Sequence, residues 1–111
     1  MTAAGFHVRW SSTAAADLLA IIDFILAQDP LGAQDVLDDL KRRAATLTTS
    51  PMRGRIVPEL QRHGVYRYRE IQRPPWRILY RIDARAVYIL AVIDGRRNVE
   101  DLLLDRLLRE Q

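Results

Sequence analysis

Apolar and polar positions in the first half of the chain alternate briefly and then recur at helical spacing. The stretch Phe6 to Trp10 alternates between the two classes, which predicts a short strand. Apolar residues then recur every three or four positions, so we expect a helix from near Thr13 to the Asp29-Pro30 stop. A second helix, with one apolar and one charged face, should follow and close at Ser50-Pro51. The two helices are predicted to form an antiparallel hairpin.

Later in the chain, three segments rich in Val, Ile, Tyr and Trp predict strands, at Val65 to Ile71, Trp76 to Ile82 and Val87 to Ile93. The dipeptide Pro74-Pro75 and the tripeptide Asp83-Ala84-Arg85 separate them. Strands divided by such short turns are typical of an antiparallel meander.

The segment between the hairpin and these strands, Met52 to Gly64, has no periodicity and is predicted to be a loop, with a short extended piece at Arg55 to Leu60. A final helix should start at Asn98, whose side chain can cap it. The fold class is therefore predicted as α+β, a mostly antiparallel sheet with the helical hairpin on one face and a C-terminal helix. We expect the helices to gather on one face and leave the other face available for binding.

Charge is strongly polarised along the chain. Residues 1–40 contain a single base, Arg9, against six aspartates, whereas 16 bases and 8 acids follow from Lys41 onward. All the bases after Lys41 are arginines, which bind phosphates and carboxylates through two parallel hydrogen bonds. The sequence thus favours an anionic partner, either a nucleic acid or an acidic peptide.

Several classes of protein are disfavoured by what the sequence lacks. It has no cysteine and only two histidines, so a disulfide framework or a metal site is not expected. It has no glycine-rich nucleotide loop or nucleophile elbow, and we expect no cofactor. No apolar run is long enough to span a membrane. We predict one soluble, cytoplasmic domain over residues 1–111 that does not bind membranes.

Arginines on the predicted strands are the first candidate site. Strand alternation places Arg67 and Arg69 on one face and Arg77 and Arg81 on another set of positions, with Arg73 at the turn. Such a spacing can produce a flat cationic patch that binds a target or a partner protein. The alternative is a solvated sheet face with cross-strand ion pairs.

The second candidate site is the Gly95-Arg96-Arg97 corner, between the last strand and the final helix. A turn there can project both guanidinium groups beyond the sheet edge. We consider this the best single candidate for binding, against the alternative of a glycine turn with two exposed charges.

Four segments resemble the RelE/ParE toxins: VRWSSTAAADLLAIIDFI, GRIVPEL, YRYREIQRPPWRILYRI and VYILAVIDGRR. The resemblance extends along almost the whole chain. It implies a compact toxin of a type II toxin–antitoxin system, neutralised by a cognate antitoxin whose tail wraps its surface, with a heterotetramer as one form of the complex. The complex in this family usually represses its own operon.

Members of this superfamily differ in their target. Some cut messenger RNA on the ribosome, and the ParE branch poisons DNA gyrase. Arg77 matches an arginine that the nucleases use, but Tyr68 and Glu70 occupy the positions of their two lysines. The chain also has neither tyrosine nor histidine after Tyr88, and Arg96 and Arg97 stand there instead, as in many ParE-like chains.

The resemblance therefore favours a gyrase-directed toxin that is not an enzyme. Two alternatives stay open. One is a metal-independent ribonuclease in which Glu59 is the base and Arg77 holds the phosphate. The other is a non-toxic relic whose basic surface only receives the antitoxin.

Overall fold

A five-stranded sheet forms the centre of the protein, which is represented by a computed structural model that describes residues 5–109. The strands are β1 (His7–Trp10), β2 (Arg55–Ile56), β3 (Tyr68–Arg73), β4 (Trp76–Asp83) and β5 (Ala86–Asp94). Their order across the sheet is β1-β5-β4-β3-β2, and only the β1–β5 pair is parallel. The predicted mostly antiparallel α+β fold is confirmed.

Within the described residues, four helices accompany the sheet: α1 (Ser12–Leu26), α2 (Pro30–Ala45), α3 (Pro58–Gln61) and α4 (Val99–Arg109). The Ser11 hydroxyl accepts a hydrogen bond from the amide of Ala14 and caps α1. Two short 3-10 turns, Thr46–Thr48 and Pro51–Arg53, follow α2. In the described part of the chain, no helix is both long and apolar enough to cross a membrane.

The α1–α2 hairpin packs on one face of the sheet and encloses the larger hydrophobic core. Leu18 and Leu40 of the hairpin are buried against Ile78, Tyr80 and Ile89 of the two central strands. Burial of a side chain of this size stabilises the fold by about 1.5–3 kcal/mol. The predicted hairpin is confirmed.

A second core lies on the opposite face, so the expectation that this face is left uncovered is wrong. Leu60 of α3, together with Val99 and Leu103 of α4, packs with Leu79 and Ile93 of the sheet. The reason is that β4 and β5 are apolar on both faces, and each face must be covered to exclude water. The helices are therefore divided between the two faces.

The segment predicted as extended, Arg55 to Leu60, is extended only at β2 and then turns into α3. Pro58 occupies the first helical position, where its missing N–H is not needed. The amide of Val65 donates to the carbonyl of Leu60 and closes this turn, which is why β3 begins at Tyr68 and not at Val65.

Asp17 connects the elements on the two faces. Its carboxylate accepts a hydrogen bond of 3.0 Å from the amide of Val92 in β5. It also accepts two from the Arg106 guanidinium of α4, at 2.9 and 2.7 Å. Both side chains are largely buried, so this bidentate ion pair fixes α4 relative to α1.

Candidate functional site

Four charged side chains form a compact cluster on the α4 face of the sheet: Arg55 of β2, Glu59 of α3, Glu70 of β3 and Arg77 of β4. Arg77 donates to both carboxylate oxygens of Glu59, at 2.8 and 2.7 Å, and its Nε donates to Glu70 at 2.6 Å. Arg55 donates to the other oxygen of Glu70 at 2.6 Å. The cluster, which we call the Arg77 cluster, therefore has two positive and two negative charges.

Burial makes the Arg77 cluster unusual. Glu70 is only 1% exposed and Arg77 8% exposed. The Arg77 guanidinium holds the pKa of Glu59 down to about 2, and the Glu59 carboxylate in turn raises the pKa of Arg77 above its ordinary value. Each charge thus stabilises the other's ionised form, since an isolated charge at this depth would be costly.

This arrangement has a direct chemical consequence. A carboxylate with a pKa near 2 is a weak general base at neutral pH, because efficient bases have a pKa near the working pH. Arg77 donates hydrogen bonds from its Nε and both terminal nitrogens to the carboxylates of Glu59 and Glu70. The guanidinium is therefore oriented toward these carboxylates and not toward a phosphate.

The remaining strand arginines do not form one cationic patch. Arg69 donates to the carbonyl of Gly54, and Arg73 pairs at 2.7 Å with Asp39 of α2, on the hairpin side of the sheet. Arg81 lies on the other side, with its guanidinium 4.5 Å above the ring of Tyr88. Strand alternation directs the arginines to different faces of the sheet. Arg69 and Arg73 are also bonded to residues of other segments.

Arg67 precedes the first residue of β3 and is exposed. Its guanidinium lies 5.6 Å from the centre of the Tyr68 ring. The next residue, Tyr68, lies opposite Arg81 of β4, at the end of β3 that is distant from the Pro74-Pro75 turn.

The Gly95-Arg96-Arg97 corner is exposed, as its position predicts. Arg96 is paired with Asp94 through two hydrogen bonds, at 3.0 and 2.8 Å, and this pairing lowers the pKa of Asp94 to about 2. Arg97 is exposed too, and its side chain has no ion-pair partner within residues 5–109. The corner therefore presents at least one uncompensated positive charge to solvent.

Apolar residues of α1 lie beside this corner, and sequence reasoning did not assign them to a site. Ile21, Phe24 and Trp76 line an open groove of about 300 Å³ together with Arg96 and Arg97. Phe24 is 70% exposed, and its ring contributes apolar surface to this groove. The available signal was that α1 has more apolar residues than its buried stripe requires.

No group of three or more His, Asp or Glu side chains converges as metal ligands would, as far as residues 5–109 are concerned. The sequence-predicted site residues therefore divide between the neutralised Arg77 cluster and the exposed corner with its groove, with Arg67, Arg69, Arg73 and Arg81 lying apart.

Comparison with known proteins agrees with this architecture. The chain is similar to a chain of the chromosomal ParDE toxin–antitoxin system of P. aeruginosa, with a TM-score of 0.67 and 23% identity, over 83% of this chain and 98% of that one. It is also similar to a chain of the RelBE2 toxin–antitoxin complex of Mycobacterium tuberculosis, with a TM-score of 0.59 and 26% identity, over 84% and 94% of the two chains. No curated protein sequence matches it significantly.

The sequence profile of the ParE toxin of the type II toxin–antitoxin system parDE matches residues 8–99, from β1 to the start of α4. This range includes the hairpin, all of the sheet except His7 at the start of β1, and the Arg96-Arg97 corner. The chain is a toxin of the RelE/ParE superfamily and belongs to the ParE toxin family of type II toxin–antitoxin systems.

Proposed function

We propose that this protein inhibits growth by binding DNA gyrase, without cutting RNA, and that a cognate antitoxin neutralises it in the cytoplasm. Membership of the ParE family is consistent with this target, because the ParE branch of the superfamily acts on gyrase. The P. aeruginosa and M. tuberculosis relatives come from toxin–antitoxin systems, which supports the antitoxin as a partner. A heterotetramer of toxin and antitoxin is part of the proposal.

The observation that carries the proposal is the mutual neutralisation of Arg77 and Glu59. RNA cleavage without a metal needs a base for the 2′-hydroxyl and cations for the developing charge on phosphorus. Arg77 and Glu59 are the residues that could supply both, and each is held by the other in a buried bidentate pair. We infer that the Arg77 cluster holds the sheet, β2 and α3 together and has no catalytic step.

Binding to the target is proposed to use the exposed corner. Arg96 and Arg97 supply positive charge, and the neighbouring groove with Phe24 supplies apolar area at the same place. Exposed aromatic and arginine side chains that share one patch are typical of residues that dominate binding energy.

The test is to purify the protein and measure its inhibition of gyrase supercoiling, beside the variant Arg96→Ala/Arg97→Ala. We expect the double variant to lose at least tenfold in inhibitory potency and to keep its melting temperature. Arg42→Ala/Arg62→Ala removes two exposed arginines elsewhere and is the matched control, which should inhibit like the natural protein.

In cells, labelled thymidine and labelled amino-acid incorporation should be followed after induction of the toxin alone. Loss of DNA synthesis before protein synthesis is the expected result. Early loss of protein synthesis, with cleavage of ribosome-bound message, would instead favour a ribonuclease with Glu59 and Arg77 at its centre. Unimpaired growth would identify a non-toxic relic.

A further inference from the structure

A row of alternating arginine and tyrosine side chains crosses four strands on the α4 face of the sheet. Its members are Arg9 of β1, Tyr88 of β5, Arg81 of β4 and Tyr68 of β3, and each lies directly opposite the next in the strand register. Residues paired directly across neighbouring strands point to the same face, and Tyr68 packs against the second core, which identifies that face. Together with Arg67, which precedes Tyr68, we call these residues the Arg–Tyr row.

The Arg–Tyr row carries a net positive charge. Arg9 and Arg67 are exposed, and within residues 5–109 neither of them has an ion-pair partner. Arg81 is paired at 3.3 Å with Asp83, whose side chain is 64% exposed. Such an exposed ion pair contributes little stability, so another anion can replace Asp83. Among the described residues, three guanidinium groups of the row thus face one carboxylate.

Two of these guanidinium groups lie over tyrosine rings. Arg67 lies 5.6 Å from the centre of the Tyr68 ring, and Arg81 lies 4.5 Å from the centre of the Tyr88 ring. A guanidinium held over a ring is positioned without a carboxylate, and its N–H groups remain able to bind phosphate oxygens. Tyr66, which is 59% exposed and lies two residues before Tyr68, adds a further ring. The row therefore combines donors for phosphates with aromatic surface for bases.

We propose that the Arg–Tyr row binds a single strand of DNA, with phosphates on the guanidinium groups and bases stacked on the tyrosine rings. Positive charge interleaved with aromatic rings suits single strands, because every base has a face that can stack. Neighbouring strands of a sheet are about 4.8 Å apart, so the row is about 14 Å long and accommodates several nucleotides. DNA and RNA share this chemistry. The choice of DNA rests on the proposed function, since gyrase acts on DNA.

Other occupants fit the row less well. The carboxylates of an acidic peptide would pair with the arginines, but they are disfavoured over the negative face of a tyrosine ring. Such a peptide also cannot add a strand in the middle of the row, because β4 and β5 each have neighbours on both sides. A DNA duplex presents its bases as edges inside grooves, which side chains on a flat sheet face do not enter. A second copy of the chain would bring like charges together.

The first experiment measures the binding of the purified toxin to a fluorescent oligothymidylate of about 12 nucleotides by anisotropy, over a series of salt concentrations. Arg67→Gln/Arg81→Gln should weaken binding at least about tenfold. It should also reduce the slope of log affinity against log salt by about 1.4, because each phosphate contact to a single strand contributes about 0.7. Arg42→Gln/Arg62→Gln is the matched control, which removes two exposed arginines elsewhere and should leave the slope unchanged.

Tyrosine variants test stacking separately from charge. Tyr88→Leu should weaken binding about fivefold or more, because it removes a ring on which a base stacks. Tyr88→Phe keeps the ring and should bind like the natural protein. Thermal unfolding of each variant checks that the fold is retained.

Three results would overturn the inference. Failure of the natural protein to bind oligothymidylate would refute the row as a nucleic-acid site, and this measurement needs no variant. Equally tight binding of polyglutamate, with no effect of Tyr88→Leu on either ligand, would assign the row to an acidic protein. Tighter binding of oligouridylate of the same length would assign it to RNA.

The supercoiling assay described above separates this inference from the proposed function. Inhibition of gyrase by a toxin that does not bind oligothymidylate would refute the Arg–Tyr row alone. Binding of oligothymidylate by a toxin that does not inhibit gyrase would refute the gyrase target and support the row as a DNA site.

Discussion

Replacing Glu59 by glutamine should lower the free energy of unfolding by about 3 kcal/mol at pH 7. The pKa of this carboxyl falls from 4.5 to about 2 in the folded protein, chiefly because Arg77 donates two hydrogen bonds to it. Each unit of pKa corresponds to about 1.4 kcal/mol of differential stabilisation, and the Glu59 side chain is only 19% exposed. The value agrees with the roughly 3–5 kcal/mol lost when one partner of a buried ion pair is removed.

The pH dependence gives the stronger test. A carboxyl with a lowered folded-state pKa stabilises the protein above its unfolded-state pKa, and this stabilisation is lost as the pH falls through the folded value. The contribution of Glu59 should therefore be complete above about pH 5 and decline between about pH 5 and pH 2. From pH 7 to pH 3, the difference between the natural protein and Glu59→Gln should shrink by about 2 kcal/mol.

Urea unfolding followed by circular dichroism at pH 7, 5, 4 and 3 measures this difference directly. Asp35→Asn is the control, because Asp35 is exposed on α2 and has no ion-pair partner within the described residues. That variant should track the natural protein within about 0.5 kcal/mol at every pH, as most surface substitutions do. A cost below about 1 kcal/mol for Glu59→Gln at pH 7, or one that does not change with pH, would refute the reasoning.

Three further changes test other parts of the fold. Asp17→Ala removes the carboxylate that accepts two hydrogen bonds from Arg106. It should lower the free energy of unfolding in urea by about 3 kcal/mol and speed amide exchange throughout α4. Unchanged exchange in α4 would contradict the role of Asp17 in fixing this helix. Gly54→Ala places a Cβ 2.6 Å from the Tyr80 hydroxyl. It should lower the free energy of unfolding by about 2–3 kcal/mol, because the nearby backbone limits relaxation. A melting temperature within about 2 °C of that of the natural protein would contradict this expectation. Ala84→Gly should instead stabilise the β4–β5 hairpin by about 0.5–1 kcal/mol, because Ala84 has a φ of 54°; thermal unfolding that shows a loss would contradict the assigned strain.

Local sequence patterns determined the elements of this protein and much of their arrangement. The alternation in β1, the Asn98 cap and the Asp29-Pro30 stop each act over a few residues, and each lies where the sequence predicts it. The same is true of the exposed Arg96-Arg97 corner, because a turn between a strand and a helix must lie at the surface. Local sequence signals alone were sufficient to predict these features.

Only the tertiary structure decided how the charges are used. Arg77 and Glu59 are 18 residues apart, and they meet because α3 folds over the face of β4 to which Arg77 points. Strand alternation could sort the arginines by face, but it could not show that Asp39 of the hairpin pairs with Arg73. The reason is physical: periodicity specifies the direction of a side chain, whereas its partner depends on packing between elements that are distant in sequence.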